Sequence, residues 1–87
     1  MSQNPGIHEK ICQMGDLHVA LCACPVGGAE FLGYFGIFRE RPPSFFSPGS
    51  VAKGSGRFCF ASSDGALIHV EKVAHEVLER MRAGLPG

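Results

Sequence analysis

The residues best equipped for chemistry lie in LHVALCACP, residues 17–25, where one residue separates Cys22 from Cys24 and His18 stands four before Cys22. Thiolates and imidazoles ligate zinc, and paired thiols do redox work. In an extended strand, residues two apart stand about 6.6–6.8 Å apart. A disulfide needs its Cβ atoms about 3.5–4.5 Å apart. Cys22 and Cys24 therefore cannot bond to each other while the strand stays straight. Two sulfurs sharing a zinc ion stand a little under about 4 Å apart, which tilted side chains reach, above all if Pro25 bends the chain. Further ligands would have to come from His18, Cys12 or Cys59, and none gives a Cys-x-x-Cys spacing. A free cysteine otherwise behaves as a small buried hydrophobe. The sequence favours that role, with no metal and no cofactor expected, and leaves His18, Cys22 and Cys24 as the metal candidates.

Two other stretches carry chemical side chains. Glu71, His75 and Glu79 recur every fourth residue, and HEVLE begins like a zinc-protease motif whose second histidine is missing. A solvated helix face with its own charge pairing is the reading that spacing supports. GSVAKGSG, residues 49–56, suggests a phosphate loop, but Lys53 precedes the second glycine of that pattern and a strand, not a helix, follows. It reads as a flexible hairpin connection, with Lys53 and Arg57 exposed. Arg39, Arg41, Lys53 and Arg57 surround it with only Glu40 opposing, and Phe45 and Phe46 lie close by. These six basic and aromatic residues form the candidate ligand-binding segment, suited to a small molecule or anion, or to bases that stack on the rings. No nucleophile, base and orienting acid fall together. Cys24 with His18 lacks a third group, and His8 and His69 have no assigned partner, so no enzyme is expected.

The elements that must hold these residues follow from periodicity. Asn4-Pro5 is a helix start, and Ile7, Ile11 and Met14 follow at helical spacing before Gly15, which predicts a short helix over residues 5–14. From Leu17 the period becomes two, with Leu17, Val19, Leu21 and Ala23 on one face and His18, Ala20, Cys22 and Cys24 on the other. Gly27-Gly28 marks a turn. EFLGYFGIFRE, residues 30–40, is apolar on both faces, as in a central strand covered twice. Residues 41–56, rich in Pro, Gly and Ser, read as a long loop that could hide an edge strand near residues 45–46 or 50–53. RFCFAS, residues 57–62, is the next strand. Ser62, Ser63 and Asp64 then start a long helix whose stripe is Ala66, Val70, Val73, Ala74, Val77 and Met81, with Arg80 and Arg82 at its end and Gly84 and Pro86 as stops. The expected fold is α+β: a three- to four-stranded antiparallel meander with a short N-terminal helix and a long C-terminal helix packed on one face.

The order helix, three strands, helix resembles the double-stranded-RNA-binding domain. In such a domain the final helix needs a basic N-terminal end to grip phosphate; here that end reads SSDGAL, and the function is not carried across.

Composition sets the outer bounds. Eighty-seven residues suffice for one small domain. Lys plus Arg equals Asp plus Glu at eight each, so no basic excess points to nucleic acid. No apolar run approaches the roughly 18 residues that span a bilayer, and MSQNPGIHEK has no basic stretch before an apolar core, so neither membrane nor signal peptide is expected. Four cysteines then fit a reducing cytoplasm. All seven Phe and the single Tyr fall between residues 31 and 60, more than one long helix covers. Two solutions follow. Either a second copy covers the other sheet face through Phe31, Tyr34 and Phe38, making a homodimeric, non-enzymatic interaction module, or residues 41–50 fold back as a lid. Short, neutral, motif-poor chains are typical of accessory proteins of mobile elements.

Overall fold

The computed structural model describes residues 6–83. Four strands, β1 (His8–Met14), β2 (Leu17–Gly27), β3 (Glu30–Phe38) and β4 (Ala52–Phe60), precede one helix, α1 (Ser63–Arg82). The strands pair antiparallel in the order β1-β2-β3-β4, the expected meander, and α1 lies across one face.

The expected N-terminal helix is absent. Its Asn4-Pro5 start lies outside the described residues, and residues 8–14 form the edge strand β1. Met14 pairs with Leu17 across a two-residue turn, Gly15-Asp16, in which Gly15 takes φ 69°. Glycine first with positive φ is the signature of a tight hairpin turn. Cys12 and Met14 then fall under α1 while Ile11 faces away, so the helical spacing of Ile7, Ile11 and Met14 is not used. Pairing wins because β2, buried from Val19 to Ala23, needs partners on both sides for its backbone groups. The order is therefore four strands and a helix, and the resemblance to the double-stranded-RNA-binding domain ends there.

The helix face carries the core. Val19, Leu21, Phe35 and Ile37 meet Val70, Val73, Ala74 and Leu78. Gly33 permits the close approach: a Cβ there would stand 2.6 Å from Val70 Cβ and 2.7 Å from the Ala66 carbonyl oxygen. The helix begins as its sequence predicts. Ser62 Oγ accepts the Gly65 N–H at 3.0 Å, Asp64 lies in the first turn, and Arg80 and Arg82 in the last. The expected stops Gly84 and Pro86 lie outside the described residues.

β4 starts at Ala52, five residues before the expected strand and inside the 50–53 stretch where the sequence allows an edge strand, so residues 52–56 are not a flexible connection. Their glycines serve packing. A Cβ at Gly54 would press on the Phe35 ring at 2.9 Å. Further along, the β3–β4 register shifts: Tyr34 pairs with Ser55 and Leu32 with Cys59, so Gly56, Arg57 and Phe58 bulge opposite Gly33.

Residues 39–51 cross the second face as a lid. The Phe45 N–H donates to Glu9 Oε1 at 3.0 Å, the Phe45 ring lies 6.5 Å from Tyr34, Pro42 is buried, and the Val51 N–H returns to the Ile37 carbonyl at 2.7 Å. On that face Ala20 and Cys22 are fully buried and Phe38 is only 4% exposed. A second copy is therefore not needed to cover it. Phe38 is buried within its own chain, Tyr34 is half-buried beside Phe45, and Phe31 lies on the helix face beside His8. Phe31, Tyr34 and Phe38 thus do not share one free surface.

Candidate functional site

Cys22 and Cys24 touch, with their sulfurs 3.2 Å apart, one buried and one half-buried. The strand is extended here, as LHVALCACP predicts, and the sulfurs meet by leaning along it. Cys22 sits between Glu9 and Tyr34 in the cross-strand row. Burial pushes its thiol up to about 12, helped by the hydrogen bond with Cys24 and by the charge of Glu9. A thiol so held is neutral at ordinary pH and is a poor ligand and a poor nucleophile. His18 pairs with Phe38, two pleats along the strand from Cys22, and its buried Nδ1 has no hydrogen-bond partner. Among the described residues no three His, Cys, Asp or Glu side chains come together as a metal site. On α1, Glu71 pairs with Lys10 at 3.3 Å, and His75 with Glu79 at 3.4 Å.

The basic and aromatic candidates fare differently. Phe45, Phe46 and Lys53 line one cavity of about 180 Å³ beneath the lid, together with Phe38, Gly36, Ser47 and Ser50. β3 and β4 place Gly36 and Lys53 opposite each other as its floor. The lid supplies the rest: Phe45 and Phe46 meet edge to face at 5.1 Å, and a turn bonded from the Ser47 N–H to the Ser44 carbonyl at 3.2 Å fixes them. Arg39 and Arg41 line an adjoining groove of about 550 Å³ that shares Phe38 and Ser47 with the cavity. The ion pairs of the described residues engage Lys10, Arg57, His75 and Arg82, and do not include Arg39, Arg41 or Lys53. Three cations thus stand exposed beside an aromatic hollow.

Arg57 is not part of this group. The bulge turns it to the helix side, where it pairs with Glu76 at 2.7 Å and holds that carboxyl below the usual carboxylate range. The Arg57 N–H, freed from the ladder, donates to His69 Nε2 at 3.0 Å, and His69 lies 5.4 Å from the Phe58 ring and 5.2 Å from Phe60. Sequence reasoning missed Gly36, Ser47 and Ser50. The two serines had a signal in the Pro- and Ser-rich run of residues 42–50; Gly36 had none, because its role follows from the register. Comparison with protein-family models, with curated proteins and with solved structures gives no match.

Proposed function

We propose that this chain is a small non-enzymatic binding module that holds a small organic anion with an apolar body beneath residues 39–51. One observation carries the reading: a single cavity is lined by Phe38, Phe45 and Phe46 together with Lys53, Ser47 and Ser50. Rings receive an apolar body, and a few placed polar groups orient it. Lys53 supplies the charge in the cavity lining, and Arg39 and Arg41 extend it along the groove. The volume suits a molecule smaller than a drug, of the size of benzoate. Four free thiols suit the reducing cytoplasm as the place of work.

Titration with benzoate, followed by ligand-observed NMR, tests this. The expected affinity is about 0.1–1 mM, corresponding to roughly −4 to −5.5 kcal/mol. Lys53→Gln removes the charge and Phe46→Ala removes an exposed ring; each should weaken binding several-fold without unfolding the chain. Benzamide, the neutral analogue, should bind more weakly than benzoate. Equal binding of the two, or no change in Lys53→Gln, sinks the anion reading.

A further inference from the structure

The two edges of the sheet differ, and the difference points to a partner. β4 is bulged at Gly56, Arg57 and Phe58, and the Arg57 N–H is spent on His69. Bulges blunt an edge against further pairing. β1 runs His8–Met14 in unbroken register with β2, and among the described residues no strand pairs with its outer side. Arg82 Nη2 reaches the Met14 carbonyl at 3.0 Å, at the turn end of the strand. Met14 and Leu17 flank a two-residue turn, so they exchange hydrogen bonds, and the alternation of an antiparallel ladder fixes the rest. Lys10 and Cys12 turn their backbone groups inward to β2. Glu9, Ile11 and Gln13 turn theirs outward.

We infer that β1 pairs antiparallel with β1 of a second copy about a two-fold axis at Ile11, which joins the two sheets into one. Side chains must stay on matching faces, so the axis has to pass through a residue and not between two. An axis at Lys10 sets two lysines opposite each other, and an axis at Glu9 sets two glutamates opposite; like charges directly opposed are destabilising. The axis at Ile11 opposes Ile11 to itself, Glu9 to Gln13 and Lys10 to Cys12. It also uses all three residues whose N–H and C=O groups face outward. Zero formal net charge leaves little repulsion between copies. A contact along one strand is small, so the dimer is of micromolar strength. The pairing does not use the ligand cavity, which lies around β3, β4 and the lid and touches β1 through the Phe45 N–H on Glu9.

Light scattering of the full chain across low to high micromolar concentration tests the inference. The molar mass should rise two-fold over that range. Ile11→Pro removes one outward N–H and no bond to β2, since edge strands tolerate proline on that side; it should stay folded and monomeric. Ile11→Cys, in a chain carrying Cys12→Ser and Cys59→Ser so that no exposed thiol competes, should form a disulfide-linked dimer under mild oxidation, because hydrogen-bonded partners stand about 5.5 Å apart at Cα, inside the disulfide range. Gln13→Cys in the same background should not. A monomer mass at high micromolar concentration, a dimer that survives Ile11→Pro, or equal cross-linking at residues 11 and 13 overturns it.

Discussion

Single residues carry two costs that experiment can read. Ala29 takes φ 63° and Gly28 φ 59° in the turn between β2 and β3. A turn with both central residues left-handed favours glycine or asparagine, and an L-residue there costs about 1–2 kcal/mol. Ala29→Gly removes that cost and gives back about 0.4–1 kcal/mol in the unfolded chain. The variant should be more stable by several tenths to about 1 kcal/mol, seen as a higher urea midpoint at unchanged slope. A lower midpoint would refute it. The second residue is Cys22, whose pKa rises from 9.0 to about 12 on folding. The folded chain holds this proton more tightly than the unfolded one, so the stabilising contribution is complete below pH 9 and fades as pH climbs toward 12. Burial raises Cys12 in the same direction. Urea midpoints should therefore fall through this alkaline range, and Cys22→Ala should fall less steeply than the parent. Equal slopes would show that Cys22 is not the group responsible. The sequence reading of Cys22 as a buried filler rested on residue type, on strand geometry and on the lack of a metal-site spacing. That tilted side chains could bring the two sulfurs together was legible; that they do so was not, because it depends on rotamers.

Among the elements, α1 was legible nearly whole, because its cap, stripe and end charges agree. β2 and β3 were legible from their period and from their apolar content. β1 was misread because Ile7, Ile11 and Met14 fit a helix by chance, while the deciding signal was two residues long: Gly15-Asp16 between apolar Met14 and Leu17. The start of β4 was misread for a different reason. Gly54 looks like loop composition, yet its missing side chain admits the Phe35 ring. Sequence reports that a glycine is present and not which neighbour requires it. Gly33 makes the same point at the sheet–helix contact, where an added methyl meets Val70 and the Ala66 backbone. Gly33→Ala should lift α1 off β3 and cost about 1–3 kcal/mol, the range of an overpacked core. A thermal midpoint within a degree of the parent would show that the helix yields freely. His69→Ala leaves the Arg57 N–H without its acceptor and opens the space between Phe58 and Phe60; the expected loss is about 1–2 kcal/mol. His69→Gln, which keeps an acceptor, should recover part of it.

At the scale of the whole molecule, the lid replaces what a second copy was expected to supply. Of the candidate ligand residues, Arg39, Arg41, Phe45, Phe46 and Lys53 gather along it or beside it, while Arg57 goes to the opposite face. That division follows from the β4 bulge, which no local pattern announces. The four cysteines report on the arrangement directly, because they differ in exposure and lie on different parts of the sheet, with only Cys22 and Cys24 side by side. Cys59 is exposed on β4, Cys12 is half-buried under α1, Cys24 is half-buried near the end of β2, and Cys22 is buried. Phe45 engages Glu9 by its N–H and Tyr34 by its ring, and these are the two cross-strand neighbours of Cys22. A thiol reagent should therefore label Cys59 at once, Cys24 and Cys12 more slowly, and Cys22 last. Phe45→Ala unpins the lid and leaves the helix face intact. In that variant Cys22 should react at least several-fold faster, while Cys12 keeps its rate, as read by mass spectrometry of quenched digests. Joint acceleration of Cys12 and Cys22 would mean that both wait on global unfolding. Unchanged labelling of Cys22 would mean that strand packing, and not the lid, shields the second face.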